Sequence, residues 1–365
     1  MIEKIRSLRY LPDEDKETLC HYVAISYGHG QHHLPELSIF SKDFIAKSFQ
    51  NYQYDEIVGR DIFYAGLYPR SNLSIFVDQF KKIFFHSRFY FTHLNAFVEN
   101  IDACLFHIQK LDMDNCVDIG SDILSIEKWF KSYGHFKDEA YTLGDFLYHH
   151  PETSQHRVLL DYPNDGATDT ASFKFNPNYI NIDRLIFGDR SINAYNYQNK
   201  ILKLRNLKLI ANGFNSQTFH SFPPSVCERI RRQVVNSDTP PGPARIFLTR
   251  SNSYRDIGNK AEVEEYFVRA GFTLINPEDI TYEELVRHAR NTDVVAMYFG
   301  SAMTNMCYFK SNTKVFILKS QSYLDEKLSL WSKVIANYHL DIKEVPAVDN
   351  VIRPDDLAAL DLSHA

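Results

Sequence analysis

The stretch of sequence that decides the fold is residues 245–318, which read RIFLTRSNSYRDIGNKAEVEEYFVRAGFTLINPEDITYEELVRHARNTDVVAMYFGSAMTNMCYFKSNTKVFIL. Short apolar runs alternate here with segments of helical periodicity, and the runs are Ile246–Thr249, Thr273–Ile275, Val294–Tyr298 and Val315–Leu318. This alternation is typical of parallel strands joined by crossover helices. The sequence therefore predicts an α/β fold with a parallel sheet.

Two of the predicted crossover helices have recognisable ends. Asn259 and Glu262 fit the N-x-x-E spacing of a capping box, and Thr281 and Glu284 fit T-x-x-E. Gly271 follows the first of these helices, where a C-terminal cap belongs. These signals place the helices between the first, second and third apolar runs.

Polar residues follow the predicted strands at their carboxyl ends, which is where parallel sheets bind ligands. Arg250 follows the first run, Asn276 the second, and the pair Gly300 and Ser301 the third. A guanidinium can bind a diphosphate through two hydrogen bonds. A helix that begins near Ala302 would also direct free amides and its positive dipole end toward this edge. The sequence therefore predicts a site for a phosphorylated ligand.

The same residues resemble glycosyltransferase family 61. The C-terminal pattern of that family runs R-x4-R-x3-N-E-x-E, G-F, a proline with an acidic residue, E-Q, and H-G-A-x-x-T-N. The matching positions here are Arg250, Arg255, Asn259, Glu262, Gly271, Phe272, Pro277, Glu278, Glu284, Gly300, Thr304 and Asn305. Four positions depart from it, where a glutamate, a glutamine, a histidine and an alanine are replaced by Lys260, Leu285, Phe299 and Ser301.

The resemblance implies a GT-B-like architecture, with two Rossmann-like domains whose parallel sheets face each other across a cleft. It also implies an inverting transferase that uses a nucleotide sugar, usually a UDP-sugar, and bacterial members of the family build capsular or other surface polysaccharide. Together with the strand ends, it implies a donor site formed by Arg250, Arg255, Asn276, Glu284, Gly300, Ser301, Thr304 and Asn305.

A weaker similarity lies upstream, where Tyr133–Glu139 resembles the family's H-[FW]-x-x-[DE] segment. An inverting transfer needs a base that accepts the proton of the attacking hydroxyl. The family's acidic position aligns with Glu139, so we rank Glu139 first as the base, His135 second and Asp138 third. The alternative is that Asp138 and Glu139 only stabilise the start of a helix electrostatically.

The domain boundary is predicted at residues 236–243, because three prolines and a glycine there cannot continue a helix or a central strand. We expect an N-terminal acceptor-binding domain over residues 1–235, of which residues 1–85 are of unclear class. A linker over residues 236–244 then leads into a nucleotide-sugar-binding domain over residues 245–345. The tail, residues 346–365, is expected to pack back on the N-terminal domain.

Within the first domain the sequence predicts a helix over Ser225–Val235 and two short buried strands over Arg157–Leu160 and Arg184–Phe187. A polar loop over Asp161–Tyr179 separates these strands. The tail is predicted to form a helix near Pro354–Leu362.

Composition limits the classes of function that the chain can have. The net charge of −6 argues against a general nucleic-acid surface. No apolar stretch reaches the length of a transmembrane helix, the N-terminus has no apolar run, and the five cysteines are scattered as in reduced cytosolic proteins. We therefore expect a cytoplasmic protein, with peripheral association at the inner face of the membrane left open. Its expected partners are a nucleotide sugar and an oligosaccharide or lipid-linked glycan acceptor.

Metal and cofactor motifs are weak in this sequence. Residues 112–114 form a D-x-D, but they do not follow a recognisable nucleotide-binding strand. His29, His32 and His33 have zinc-like spacing, but the neighbouring glycines and proline argue against a helix there. No dinucleotide or P-loop fingerprint is present. We predict no metal and no cofactor, with the nucleotide sugar as co-substrate.

Two other functions stay open at this stage. Polysaccharide pyruvyl transferases have a GT-B-like shape, act on the same glycans and use phosphoenolpyruvate. A non-catalytic protein that binds a sugar nucleotide or a glycan would also fit, given the departures at Lys260 and Phe299. The sugar, the linkage and the oligomeric state depend on surfaces that the sequence does not define.

Overall fold

The structure is a computed structural model that describes residues 3, 6–7, 9, 13–17, 20, 55–66, 74–81, 83–84, 105–106, 108–126, 133–162, 178–197, 200–211, 222–235, 240–251, 256–321 and 332–362. The chain forms two compact units. The first consists of Met1–Glu139, His149–Phe175 and Asp189–Phe214, and the second of Ala140–Tyr148, Asn176–Gly188 and Asn215–Ala365. The proposed assignment of acceptor and donor binding to separate domains stays a prediction.

The first unit contains an eight-stranded mixed sheet. In chain order its strands are β1 (Asp55–Gly66), β2 (Ser74–Val77), β3 (Ile83–Phe84), β4 (Cys116–Asp118), β5 (Asp122–Ile126), β6 (Arg157–Leu160), β7 (Ser191–Asn193) and β8 (Ile201–Ala211). The spatial order is β3-β2-β1-β8-β5-β6-β7, and β4 also pairs with β8. Two helices alternate with these strands along the chain, α1 (Tyr133–His149) and α2 (Asn178–Phe187).

This sheet is parallel in one half and antiparallel in the other. β8, β5, β6 and β7 pair in parallel, whereas β1 pairs antiparallel with both β2 and β8. Short connections suffice between antiparallel neighbours, while parallel neighbours need a crossover. The predicted strand Arg157–Leu160 is confirmed as β6, and its last three residues are buried. The antiparallel half was not predicted from the sequence.

The predicted strand over Arg184–Phe187 is wrong, because these residues form the last turn of helix α2. Tyr179, Ile182 and Ile186 are buried and recur at the three- and four-residue spacing of one helix face. The apolar run at the end of this helix is too short to distinguish a strand from a helix by itself.

The second unit contains a five-stranded sheet in which every strand is parallel to its neighbours. Its strands are β9 (Arg245–Leu248), β10 (Thr273–Ile275), β11 (Val294–Tyr298), β12 (Lys314–Lys319) and β13 (Asp341–Pro346). In addition to α2, this unit contains the helices α3 (Pro224–Val234), α4 (Lys260–Arg269), α5 (Tyr282–Arg290), α6 (Ser332–Tyr338) and α7 (Pro354–Ala358). The four predicted strands and the helix predicted over Ser225–Val235 are confirmed. The α/β class with parallel strands is also confirmed, whereas the GT-B-like arrangement of two domains stays a prediction.

The order of the second sheet is β10-β9-β11-β12-β13. The chain therefore starts in β9, moves to one side for β10, and continues on the other side from β11. Parallel sheets bind ligands at such a reversal, in the crevice beyond the carboxyl ends of the strands. The crevice beyond the carboxyl ends of β9 and β11 is therefore where this sheet is expected to bind a ligand.

The core of this unit is rich in aromatic side chains. Phe267 of α4 is fully buried, and its ring centroid lies 5.0 Å from that of Phe247 in β9 and 5.0 Å from that of Phe272. Such contacts make α4 part of the sheet core, and replacing Phe267 with alanine should cost about 3–5 kcal/mol of stability. Leu357 and Leu360 of the tail belong to the same core. These two side chains pack within the second unit, and packing of the tail on the N-terminal domain stays a prediction.

The ends of the helices agree with the sequence in two cases out of three. Thr281 and Glu284 form the predicted capping box at the start of α5, and Gly271 adopts a φ of +83° after α4. The capping box predicted at Asn259 is wrong, because its side chain accepts no hydrogen bond from the helix. The amide of Asn259 instead donates to the carbonyl of Ile352 at 2.8 Å and accepts from its N–H at 3.1 Å.

None of the helices in the described ranges is long and apolar enough to cross a membrane.

Candidate active site

Arg250 lies at the reversal of strand order, two residues beyond the end of β9. Its Nε donates to Oδ1 of Asp256 at 2.7 Å, and its Nη1 donates to the carbonyl of Phe299 at 3.3 Å. The guanidinium carbon also lies 5.1 Å from the centroid of the Tyr298 ring at the end of β11. These contacts hold the guanidinium at the crevice beyond the carboxyl ends of β9 and β11.

Gly300 follows β11 with φ of +137° and ψ of −148°. A side chain at this position would meet Nη1 of Arg250 at 3.6 Å, which is an ordinary contact. The need for glycine therefore comes from the backbone conformation, which residues with a side chain rarely adopt. The tight turn brings the chain past Arg250 and into the following helix.

The helix predicted to begin near Ala302 is a 3₁₀ helix over Ser301–Tyr308. Thr304 and Asn305 are buried in it, and the Thr304 hydroxyl donates to the carbonyl of Ser301 at 2.7 Å. Ser301 itself is exposed at the start of the helix. Ser301 and Gly300 thus lie at the surface of this edge, while donor contacts by Thr304 and Asn305 stay a prediction.

A cluster of buried tyrosines anchors the far end of this 3₁₀ helix. The hydroxyls of Tyr141, Tyr282 and Tyr308 hydrogen-bond to one another, with Tyr282 donating to Tyr308 at 3.1 Å. Burial is the main cause that raises the pKa of Tyr141 and of Tyr308 well above the ordinary value. Tyr141 and Tyr308 therefore remain neutral near pH 7, and all three hydroxyls act as hydrogen-bonding anchors.

Lys260, the first residue of α4, places a second cation beside Arg250. Its Nζ donates to the carbonyl of Arg250 at 2.5 Å and lies 3.4 Å from Oδ2 of Asp256. Asp256 is therefore shared by two cations, and the trio carries a net charge of +1. This ion pair could not be predicted from helical spacing, because Asp256 precedes the first residue of α4 and the pairing depends on the turn between them.

Glu264 connects the ends of β9 and β11. Its carboxylate accepts from the Tyr298 hydroxyl at 3.2 Å and from the Thr249 hydroxyl. Burial first, and the charge of Glu264 next, raise the pKa of Tyr298 above its ordinary value. The tyrosine thus stays protonated and keeps its ring fixed beneath Arg250 and Lys260.

The end of β12 carries a further polar pair. The Lys319 ammonium is buried 5.5 Å from the centroid of Phe299 and 3.4 Å from Oε1 of Glu344. Ser320 is also buried, and in the described part of the chain its Oγ has no hydrogen-bond partner. Phe299, which stands where the family pattern has histidine, thus contacts Arg250 through its backbone and Lys319 through its ring.

A turn in the tail holds the loop that carries Asp256. The carbonyl of Asn350 accepts from the N–H of Gly258 at 2.7 Å, and its Nδ2 donates to the carbonyl of Asp256 at 3.3 Å. Its Oδ1 accepts from the N–H of Gln321, beyond β12, at 3.4 Å. One asparagine therefore links two segments at the carboxyl edge of the sheet.

The family assignment rests on most of the chain, not only on this edge. The sequence model described as Glycosyltransferase 61 matches residues 19–316. The chain belongs to glycosyltransferase family 61. It is therefore an enzyme that takes a sugar donor and a glycan acceptor. No curated protein matches the chain.

In the turn after β10 of the transferase, the polar side chains bond to neighbouring groups of the same segment. Nδ2 of Asn276 donates to Oδ2 of Asp279 at 3.0 Å, and its Oδ1 accepts from the N–H of Glu278 at 3.1 Å. Oε2 of Glu284 accepts from the backbone N–H of Thr281 at 2.8 Å, and this bond is the main cause that lowers the pKa of Glu284. Donor contacts by Asn276 and Glu284 stay a prediction.

The predicted base lies on α1, which begins at Tyr133. Glu139 is the seventh residue of this helix and is 7% exposed. It is therefore beyond the first turn, where an acidic residue would stabilise the helix start. The side chains of His135 and Asp138 lie outside the described part of the transferase, as does Arg255.

The metal motifs of the sequence add no site in the described ranges. Asp112 and Asp114 flank a turn, and no group of three or more histidine, cysteine, aspartate or glutamate side chains there could hold a metal ion. His29, His32 and His33 lie outside the described residues. The absence of a metal requirement stays a prediction for this transferase.

Proposed function

We propose that this glycosyltransferase is an inverting enzyme that transfers a sugar from a nucleotide sugar, with UDP as the nucleotide, to a glycan acceptor in surface or capsular polysaccharide synthesis. The observation that carries the proposal is Arg250, held by Asp256 and the Phe299 carbonyl at the reversal of strand order. A guanidinium fixed in this way suits a diphosphate. We further propose the GT-B-like arrangement and a cytoplasmic location with peripheral association at the membrane.

The leaving group sets the main electrostatic demand of this reaction. As the acceptor hydroxyl attacks the anomeric carbon, the bond to the nucleoside diphosphate breaks and negative charge builds up on that diphosphate. Donors and cations that are already in place stabilise such charge without reorganisation. Arg250 meets it directly, and the amides of the 3₁₀ helix from Ser301 add their partial positive charge. A charge-assisted hydrogen bond contributes about 1.5–3 kcal/mol.

We propose Glu139 as the base that accepts the hydroxyl proton. Replacing it with glutamine keeps its size but removes the proton acceptor. We expect Glu139→Gln to lower kcat by about a hundredfold or more while donor affinity stays the same. Rapid-quench turnover and calorimetric titration of the donor measure the two quantities separately. Near-normal turnover in both Glu139→Gln and His135→Ala, in folded protein, would place the base elsewhere.

The donor and the stereochemistry need direct tests. A thermal-shift screen should compare UDP-sugars with sugars linked to other nucleotides and with phosphoenolpyruvate. We expect UDP-sugars to give the largest stabilisation, because a ligand that binds only the folded state raises its stability. NMR of the product formed from the identified donor should then show inversion at the anomeric carbon. Stabilisation by phosphoenolpyruvate alone, or retention of configuration, would contradict the proposal.

A further inference from the structure

Lys260 stands at a position that is unfavourable for a lysine with a purely structural role. It is the first residue of α4, where the helix dipole disfavours a positive charge. Its side chain nevertheless turns inward and is only 16% exposed. An ammonium that simply followed its own preference would extend into solvent, away from the helix start. Instead its Nζ donates to the Arg250 carbonyl at 2.5 Å, and this bond places the ammonium at the crevice.

The charge balance around Lys260 supports this interpretation. Asp256 already accepts a 2.7 Å hydrogen bond from Arg250, while the ammonium of Lys260 is farther away at 3.4 Å. Neutralising Asp256 therefore does not require the lysine. Burying a second cation beside the first costs free energy unless an opposite charge compensates for it. The trio has one positive charge more than it can neutralise by itself, and Glu264, the other carboxylate at the Tyr298 ring, is bound to the hydroxyls of Thr249 and Tyr298.

The ring of Tyr298 holds both cations close together. The guanidinium carbon of Arg250 lies 5.1 Å from the ring centroid, and Nζ of Lys260 lies 5.8 Å from it. Both distances are within the range of cation–π attraction. The Tyr298 hydroxyl is in turn fixed by Glu264 at 3.2 Å. Two like charges are thus arranged in advance at the point where the sheet binds ligands.

We propose that Lys260 is a second phosphate-binding residue of the donor site, and that it makes the site prefer a nucleoside diphosphate over the corresponding monophosphate. The inference rests on the proposed function, since it assumes a nucleotide-sugar donor. Arg250 provides the first cation for the diphosphate, and Lys260 provides the second. The position of Lys260 matches a glutamate in the family pattern, so this residue brings the opposite charge to the site.

Calorimetric titrations of the full chain with UDP and with UMP test the inference. Lys260→Met removes the ammonium and keeps the aliphatic chain, whereas Lys260→Arg keeps a positive charge. The matched control is Lys343→Met, because Lys343 is an exposed lysine whose Nζ also approaches a backbone carbonyl, that of Ala359, at 3.5 Å. Thermal unfolding of each variant without ligand shows that it is folded.

We expect Lys260→Met to weaken UDP binding by about tenfold and UMP binding by less than about threefold, since one charge-assisted hydrogen bond corresponds to roughly a decade in affinity. Lys260→Arg should retain the preference for UDP, and Lys343→Met should match the unaltered protein. If Lys260→Met leaves the UDP affinity unchanged, or weakens UDP and UMP binding equally, the inference about Lys260 is overturned and the proposed function still stands. If the unaltered protein binds neither UDP nor another nucleoside diphosphate, the proposed function is overturned as well.

Discussion

Two turns at the carboxyl edge of the second sheet carry charged and amide side chains, but they use them differently. In the turn after β9, Arg250, Asp256 and Lys260 leave one positive charge in excess. In the turn after β10, Asn276 bonds to its own loop and Glu284 closes the capping box with Thr281. The first turn is stabilised by charges that still attract an anion, whereas the second satisfies its polar groups within itself.

If the proposed donor site is correct, the difference separates a turn that binds a ligand from one that is structural. A polar side chain whose donors and acceptors are all used locally gains little from a ligand, because binding must first break those bonds. A cluster with uncompensated charge gains from a ligand of the opposite charge. Position at the ligand edge is therefore necessary but not sufficient for a donor contact.

Among changes at these two turns, the largest effect is expected for Arg250→Ala. It removes a charge-assisted contact worth about 1.5–3 kcal/mol, so the affinity for the donor nucleotide should fall at least about tenfold. The melting temperature of the unliganded protein should stay nearly unchanged, since Asp256 keeps Lys260 as a partner. The matched control is Arg184→Ala, because Arg184 forms an ion pair with Glu283 beside the second turn. If the two variants bind the donor equally well, the turn after β9 contributes no more to donor binding than the turn after β10.

Thr281→Ala should have the next largest effect, on stability instead of binding. It removes the side-chain acceptor of the capping box, which typically costs about 1 kcal/mol. Urea denaturation should show this loss in the free energy of unfolding, while calorimetry should show unchanged donor affinity. A clear loss of donor affinity with unchanged stability would show that the turn after β10 belongs to the donor-binding site.

A smaller effect is expected for Asn276→Ala. The sequence predicts a donor contact for Asn276, but its amide already bonds to Asp279 and to the N–H of Glu278. We therefore expect the donor affinity to change by less than about twofold, which corresponds to less than about 0.4 kcal/mol. A tenfold loss, measured by the same titration, would show that Asn276 leaves its turn and binds the donor.

The smallest effect is expected for removal of metal ions. If Arg250, Lys260 and the helix amides meet the charge of the leaving diphosphate, turnover should survive an excess of EDTA. Initial rates with and without EDTA, followed by addition of Mn²⁺ or Mg²⁺, measure this directly. Complete loss of activity that either metal restores would show that the protein's own cations do not suffice.

The strands of the second sheet could be predicted because strands buried on both faces are continuous apolar runs, as in Val294–Tyr298. Helix α2 could not, because the run Leu185–Phe187 is short and follows a stretch that reads as a loop. The role of Asn259 could not be predicted either, because its partner Ile352 is 93 positions away in the chain. Local sequence patterns predict bonds between residues that are close in the chain, but they do not predict partners this far apart.

The place of the candidate site residues in the fold could be predicted in part for the same reason. Arg250 and Gly300 directly follow apolar runs, so their place at the edge depends only on the strands. Lys260 departs from the family pattern, but its contact with the Arg250 carbonyl could not be predicted because it depends on how the loop between them folds. Tyr298 and Glu264 are 34 positions apart and meet only because β11 lies beside β9.

The Asn350 turn makes the order of synthesis matter for this enzyme. Its Nδ2 contacts the Asp256 carbonyl 94 positions earlier in the chain, and its Oδ1 contacts Gln321 29 positions earlier. On the ribosome, the loop that carries Asp256 therefore emerges well before the asparagine that braces it. A nascent chain that stops short of Asn350 contains the residues of β9 to β13 but lacks this brace. Translation of the segment around Asn350 is thus the step that completes the Arg250 turn.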